Sequence, residues 1–229
     1  MIVDVDESEL PAGLLRPSRR PSQVVPALRP VAVGVYRLRR WIRWHTTDVR
    51  FALTRVDTDL PWLAMAHASP LLRKLGATEM WLQHNKVVNL RLAVARIDGL
   101  LIGPGETFSF CRLVGRTTRR RGYVEGMMLE EGDTVPGVGG GICQIANMVH
   151  WLALHSPLTV TERSSHSEDP FPDEGRTVPW GTGCTIFYNY VDLQLRNDTR
   201  ETYQLRLRVG DTDLVGELRA SARPSAPSE

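Results

Sequence analysis

The segment GVGGGICQIANMVHW, residues 137–151, sets Cys143 directly behind a glycine run and at the head of a stretch with helical spacing. Glycines let a backbone turn tightly and approach another group closely, and a helix start presents unpaired N–H groups with a partial positive charge. Both conditions favour a thiolate, the form in which cysteine attacks. His166 follows the next strand-like run, an order that can fold the imidazole back over the helix start. The two residues form a candidate nucleophile and general base, with a third group to orient the ring. Asp169, Asp173, Asn189 and Asp192 are the candidates for that third role. Gln144 offers an amide that, with the Cys143 N–H, could stabilise an oxyanion; the plainer alternative is a helix-start residue bonded to nearby backbone. Cys143 also has a plainer alternative, a small apolar residue packed beside a tight glycine turn.

The elements that must position these residues follow from periodicity. Ile145, Met148, Val149 and Leu152 fall at i, i+3, i+4 and i+7, which predicts a helix from Cys143 to about His155 with those four toward the core. Cys143, Asn147, His150 and Trp151 then lie on a different side. LTVTER, ending at Arg163, alternates as a strand, and SEDPFPDEGRTVPWGTG reads as a long loop. CTIFYNYVDLQLRN and ETYQLRLRV read as two strands joined by NDTR in an antiparallel hairpin.

Upstream, residues 78–98 read as a long helix closed by Gly99, after which LLIGPGETFSF turns at Pro104 and Gly105 and becomes extended. Between residues 31 and 55, Val35, Leu38, Ile42 and Trp41 have helical spacing with arginines on the other face. That apolar face is expected to pack on its own domain, the alternative being a membrane surface. The fold class expected is α+β. A helical N-terminal half, residues 31–103, packs against a C-terminal mixed domain, residues 104–220, that holds an antiparallel sheet and the cysteine-bearing helix. Residues 1–30 and 221–229 are expected to be a disordered arm and tail.

Composition narrows the classes. A chain of 229 residues with 42% hydrophobic residues can bury a sizeable core. The net charge of +2 comes from 28 basic and 26 acidic residues mixed along the chain, which is no nucleic-acid footprint; RTTRRR, residues 116–121, reads as a solvated loop. Three cysteines without a CxxC pair fit a reducing compartment. The acidic start MIVDVDESEL lacks the basic region of a signal peptide, and no apolar run approaches the roughly 20 residues of a membrane span. The expectation is a cytoplasmic protein without a transmembrane segment, at most peripherally associated with the envelope. A metal site of Cys143, His150 and His166 has no supporting spacing, so neither metal nor cofactor is expected. No pattern sets an oligomeric state.

Between Gly105 and Val209 the chain resembles the VanW family, the vancomycin B-type resistance accessory proteins. The blocks that carry the resemblance are PGETFSFCRLVG (104–115), GY (122–123), GGGICQIANMVHWLALHSPLTVTERSSHSEDPFPD (139–173) and GTGCTIFYNYVDLQLRN (181–197). The resemblance implies a connection to the cell envelope or peptidoglycan. The order of cysteine, helix, strand and histidine is also similar in layout to transglutaminase-like and papain-like enzymes, an analogy only.

Two functions follow as expectations. The first is a cysteine-dependent amide or peptide hydrolase or transpeptidase using Cys143 and His166, with Asp169 or Asp173 orienting the ring. The second is a non-catalytic binder of a cell-wall precursor or glycan, in which Glu106, Arg163, His166, Tyr188 and Asn189 line a polar cleft beside Gly139, Gly140 and Gly141. If those glycines let the backbone pass close to the His166 segment, at least one should have a positive φ or no room for a Cβ.

Overall fold

Tyr203, Leu205 and Leu207 alternate with more polar residues and form β9, Tyr203–Val209, the strand around which the larger sheet is built. In the computed structural model, which describes residues 29–72, 80–130, 133–164 and 182–223, β9 pairs antiparallel with β10, Asp213–Ala220, and with β3, Leu100–Ile102. On its other side β10 pairs with β2, Trp62–Pro70, giving the antiparallel order β2-β10-β9-β3. Strands from both sides of residue 103 therefore share one sheet, and β2 occupies a stretch whose sequence carries no clear period. The second sheet has the order β1-β4-β8-β7, from Arg50–Phe51, Glu106–Ser109, Gln194–Arg196 and Thr159–Glu162, with only β1 and β4 parallel. Among the described residues a separate hairpin is formed by β5, Glu125–Glu130, and β6, Asp133–Val138.

The expected hairpin between residues 185–197 and 203–209 does not form. Only Gln194–Arg196 is a strand, and it pairs with β4 and β7 in the second sheet. Asn197 explains the change of sheet. Its side-chain amide donates to the carbonyls of Ile102 at 2.8 Å and Glu201 at 2.7 Å, while its Oδ1 accepts from the N–H and hydroxyl of Thr199. A fully buried amide saturated in this way locks NDTR as a corner between sheets.

Among the described residues four α-helices pack with the sheets: α1 (Arg29–Thr46), α2 (Met80–Ile97), α3 (Phe110–Val114) and α4 (Cys143–Leu154). The α+β class stands. Residue Gly99, with φ +77°, ends α2 where a Cβ would strike the Val56 carbonyl. In α4, Ile145, Met148, Val149 and Leu152 are all buried, as their spacing predicts. Gly216 of β10 leaves the seat for Met148: a Cβ there would lie 2.7 Å from its Cγ.

The α1 helix reverses the expected orientation. Val35, Leu38, Trp41 and Ile42 are 50%, 57%, 54% and 44% exposed. The helix is held instead by its arginine face, because fixed acceptors lie beneath it. Arg37 donates to the Tyr188 carbonyl at 2.9 Å, and Arg40 makes a forked pair with Glu162, one arm at 2.6 Å. Among the described residues no helix is long and apolar enough to cross a membrane. The arm and tail fall largely, and His166, Asp169 and Asp173 wholly, outside the described residues.

Candidate functional site

The glycine turn comes first because it carries Cys143. Gly139 and Gly141 have φ of +85° and +87°, and none of Gly139, Gly140 or Gly141 has room for a Cβ. The groups in the way are the Thr117 side chain at Gly139, the Gly126 backbone at Gly140 and the Lys86 side chain at Gly141. Thus the close approach is to α2 and the β5 strand. Asn89 of α2 fastens the turn, its amide donating to the carbonyls of Gly140 at 2.9 Å and Val124 at 3.0 Å while its Oδ1 accepts from the Val124 N–H.

The helix start is less open than its sequence implies. The N–H groups of Gln144 and Ile145 already donate to the carbonyls of Gly141 and Ile142, at 3.1 and 3.0 Å. Burial pushes the Cys143 thiol pKa up, and a bond with the backbone at Ile186 offsets only part of that. The thiolate expected at this position is therefore disfavoured. Gln144 donates to the Ser69 hydroxyl and the Pro70 carbonyl, both at 2.9 Å, which ties α4 to β2. Its own bland alternative, a bond to nearby backbone, becomes a bond across to a strand.

The polar side of α4 is covered by residues 182–186. Asn147 Oδ1 accepts from the Cys184 N–H at 2.7 Å, and buried His150 donates from Nδ1 to the Thr182 carbonyl at 2.8 Å. Burial lowers the His150 pKa and raises that of Cys184 to about 12. Arg163 donates to the Gly183 carbonyl at 3.3 Å, and the Thr185 N–H donates to the Ser164 carbonyl at 2.8 Å. The two ends of the segment that contains His166 are thereby stitched side by side.

Beyond this stitch lies a cleft of about 320 Å³ lined by Tyr36, Glu162, Arg163, Ser164, Tyr190, Val191 and Asp192. Tyr36 and Tyr190 stack with ring centres 6.0 Å apart, and Phe187 stacks on Tyr190 at 6.1 Å. Asp192 is buried; its carboxylate accepts from the Ser109 hydroxyl at 2.6 Å, the Cys111 N–H at 2.8 Å and the Gln194 amide at 3.1 Å. Burial raises its pKa against those three bonds. Burial and the neighbouring Asp192 carboxylate likewise raise the Cys111 thiol well above its ordinary value.

Of the residues expected in a site, Arg163 and Asp192 reach this cleft. Tyr188 and Asn189 hold α1 instead: the Tyr188 ring meets Trp44 edge-on at 6.5 Å, and the Asn189 amide donates to the Arg37 carbonyl at 3.3 Å. Glu106 stands at the opposite end of β4 from Ser109, its carboxylate accepting from the Gly103 N–H at 2.8 Å. Tyr36, Glu162, Ser164 and Tyr190 join the cleft without belonging to any site expected from the sequence. Glu162 carried one usable signal, since it continues the apolar face of Leu158 and Val160, where a carboxylate requires a buried partner.

Residues 85–219 match the family described as VanW like protein. The chain is 34% identical to the vancomycin B-type resistance protein VanW of Enterococcus faecalis over 91% of its own length and 76% of that protein's. It is 38% identical to the uncharacterized protein YoaR of Bacillus subtilis over 61% of its own length and 47% of that protein's. No solved structure matches. Residues 85–219 contain the glycine turn, α4, β7, the cleft residues from Glu162 to Asp192 but not Tyr36, β9 and all but the last residue of β10, and on that match the chain belongs to the VanW family.

Proposed function

We propose that the protein is a non-catalytic binder of a cell-wall precursor or glycan, and that the Glu162–Asp192 cleft is its ligand site. The observation that carries this reading is that Glu162, Arg163 and Asp192 line one cleft with the stacked Tyr36 and Tyr190 rings. A guanidinium suits a stem-peptide carboxylate and tyrosine faces accept apolar or sugar surfaces, while Glu162, paired with Arg40, and buried Asp192 shape the wall of the cleft. The raised thiol pKa and the packing role of the glycines support binding over nucleophilic chemistry. The envelope connection is what the resemblance to the VanW family implies, and the enterococcal relative is named for vancomycin B-type resistance.

Calorimetric titration with a soluble cell-wall stem pentapeptide and with a muramyl glycan fragment tests the proposal. Arg163→Ala should weaken binding of one of them by about tenfold or more, the scale of a lost charge-assisted bond, while Cys143→Ser leaves affinity unchanged. Failure of both ligands to bind, or loss of binding in Cys143→Ser with an intact fold, overturns it. A second reading, the hydrolase or transpeptidase with Cys143 as nucleophile, His166 as base and Asp169 or Asp173 as its partner, is supported by the bond between Ser164 and Thr185, which starts the His166 segment beside the chain that covers α4. Cys143-dependent turnover of the same pentapeptide would favour it.

A further inference from the structure

We propose that the outward face of α1 is a docking surface for an anionic lipid bilayer. Val31, Val35, Leu38 and Ile42 follow one another at intervals of four, three and four residues and are all exposed, Val31 by 64%. They form a continuous apolar stripe about 17 Å long at 1.5 Å per residue. Trp41 borders the stripe on one side and exposed Arg39 and Arg43 on the other. An apolar stripe edged by an indole and guanidinium groups is the composition of a helix that lies in the headgroup layer.

Charge identifies the occupant. The helix, RPVAVGVYRLRRWIRWHT, contains no Asp or Glu. A bilayer with negative headgroups complements that face, each arginine near its surface adding to the attraction. A second copy of this chain would bring Arg39 and Arg43 against equally basic helices with no acidic residue to answer them, along a seam of only one and a half heptads. The inward face is already committed, because Arg37, Arg40 and Trp44 hold the helix to the domain. The stripe is therefore presented on a helix already formed and docked on the domain.

The test is cosedimentation of the full chain with vesicles, one set of phosphatidylcholine and one of equal parts phosphatidylcholine and phosphatidylglycerol. Binding should favour the anionic vesicles by about tenfold or more and weaken with added salt. The double variant Leu38→Glu, Ile42→Glu should lose about tenfold or more, and Arg39→Ser, Arg43→Ser should remove the preference for the anionic set. Both pairs are exposed, and thermal melting verifies that the fold is kept. Wild-type protein that stays in the supernatant overturns the proposal, as does a Leu38→Glu, Ile42→Glu protein that binds as well as wild type. A dimer in sedimentation equilibrium that this variant converts to monomer, without wild-type vesicle binding, assigns the stripe to a second copy and overturns it equally.

Discussion

The Ser109 hydroxyl donates to one carboxylate oxygen of Asp192 at 2.6 Å while it accepts from the Arg112 N–H at 3.2 Å, so one side chain both caps α3 and holds the floor of the cleft. Asp192→Asn preserves the shape but places an N–H against groups that already donate, and should cost about 1–3 kcal/mol. Burial raises the Asp192 pKa in the fold. Its contribution to stability is accordingly complete below the ordinary carboxylate value and is lost as pH rises through the raised one. Melting curves of wild type and Asp192→Asn should differ most in acid and converge toward neutral pH; a gap that widens with pH contradicts the assignment.

His150 has the opposite dependence. Its pKa is lowered by burial, so the neutral ring that donates to Thr182 is stable above the ordinary histidine value, and stability is lost as pH falls through the lowered one. His150→Asn retains an N–H at the Nδ1 position and should cost about 1 kcal/mol at neutral pH. Its disadvantage should shrink on acidification, as read by denaturant midpoints between neutral pH and mild acid. A difference that does not change with pH assigns the acid sensitivity elsewhere.

Gly140 is the position of the glycine turn where a methyl group meets backbone rather than a side chain. Gly140→Ala should be the most harmful of the three, at or above about 3 kcal/mol, and Gly141→Ala should cost about 1–3 kcal/mol from its positive φ and the Lys86 chain. If the turn serves packing, Cys143 alkylation in the surviving folded fraction stays as slow as in wild type. Neutral melting temperatures in all three variants would make the run a spacer.

All three thiols have raised pKa values, that of Cys184 pushed up to about 12. Native protein should therefore react negligibly with a thiol reagent at neutral pH and release its full cysteine count only on denaturation. One rapidly modified cysteine that disappears in Cys143→Ser would instead revive the nucleophile.

What could be read in the sequence was what repeats locally. The buried face of α4, the glycine that closes α2 and the alternation of β9 each follow from spacing within one element. Strand partners did not follow, because Leu193 and Leu195 alternate in the same way whether they face β9 or β4. The reversal of α1 was hidden because its acceptors, Glu162 and the Tyr188 carbonyl, lie more than a hundred residues along the chain. At the cleft, Asp192 was legible as a polar residue among strand residues. Tyr36 and Tyr190 carry no such mark, since their stacking exists only after α1 has docked.

That docking makes the cleft a seam. Tyr36 belongs to α1, and Arg40 of the same helix is paired with Glu162 of the opposite wall. A ligand that seats in the seam touches both walls, so at a hundredfold excess over Kd it would add about 2.7 kcal/mol against any opening of the helix. Amide exchange along α1 would then report occupancy of a site on its far side. By the same reciprocity, any surface that grips the helix while it is closed must tighten the ligand by an equal factor, and one that pulls the helix away must release it.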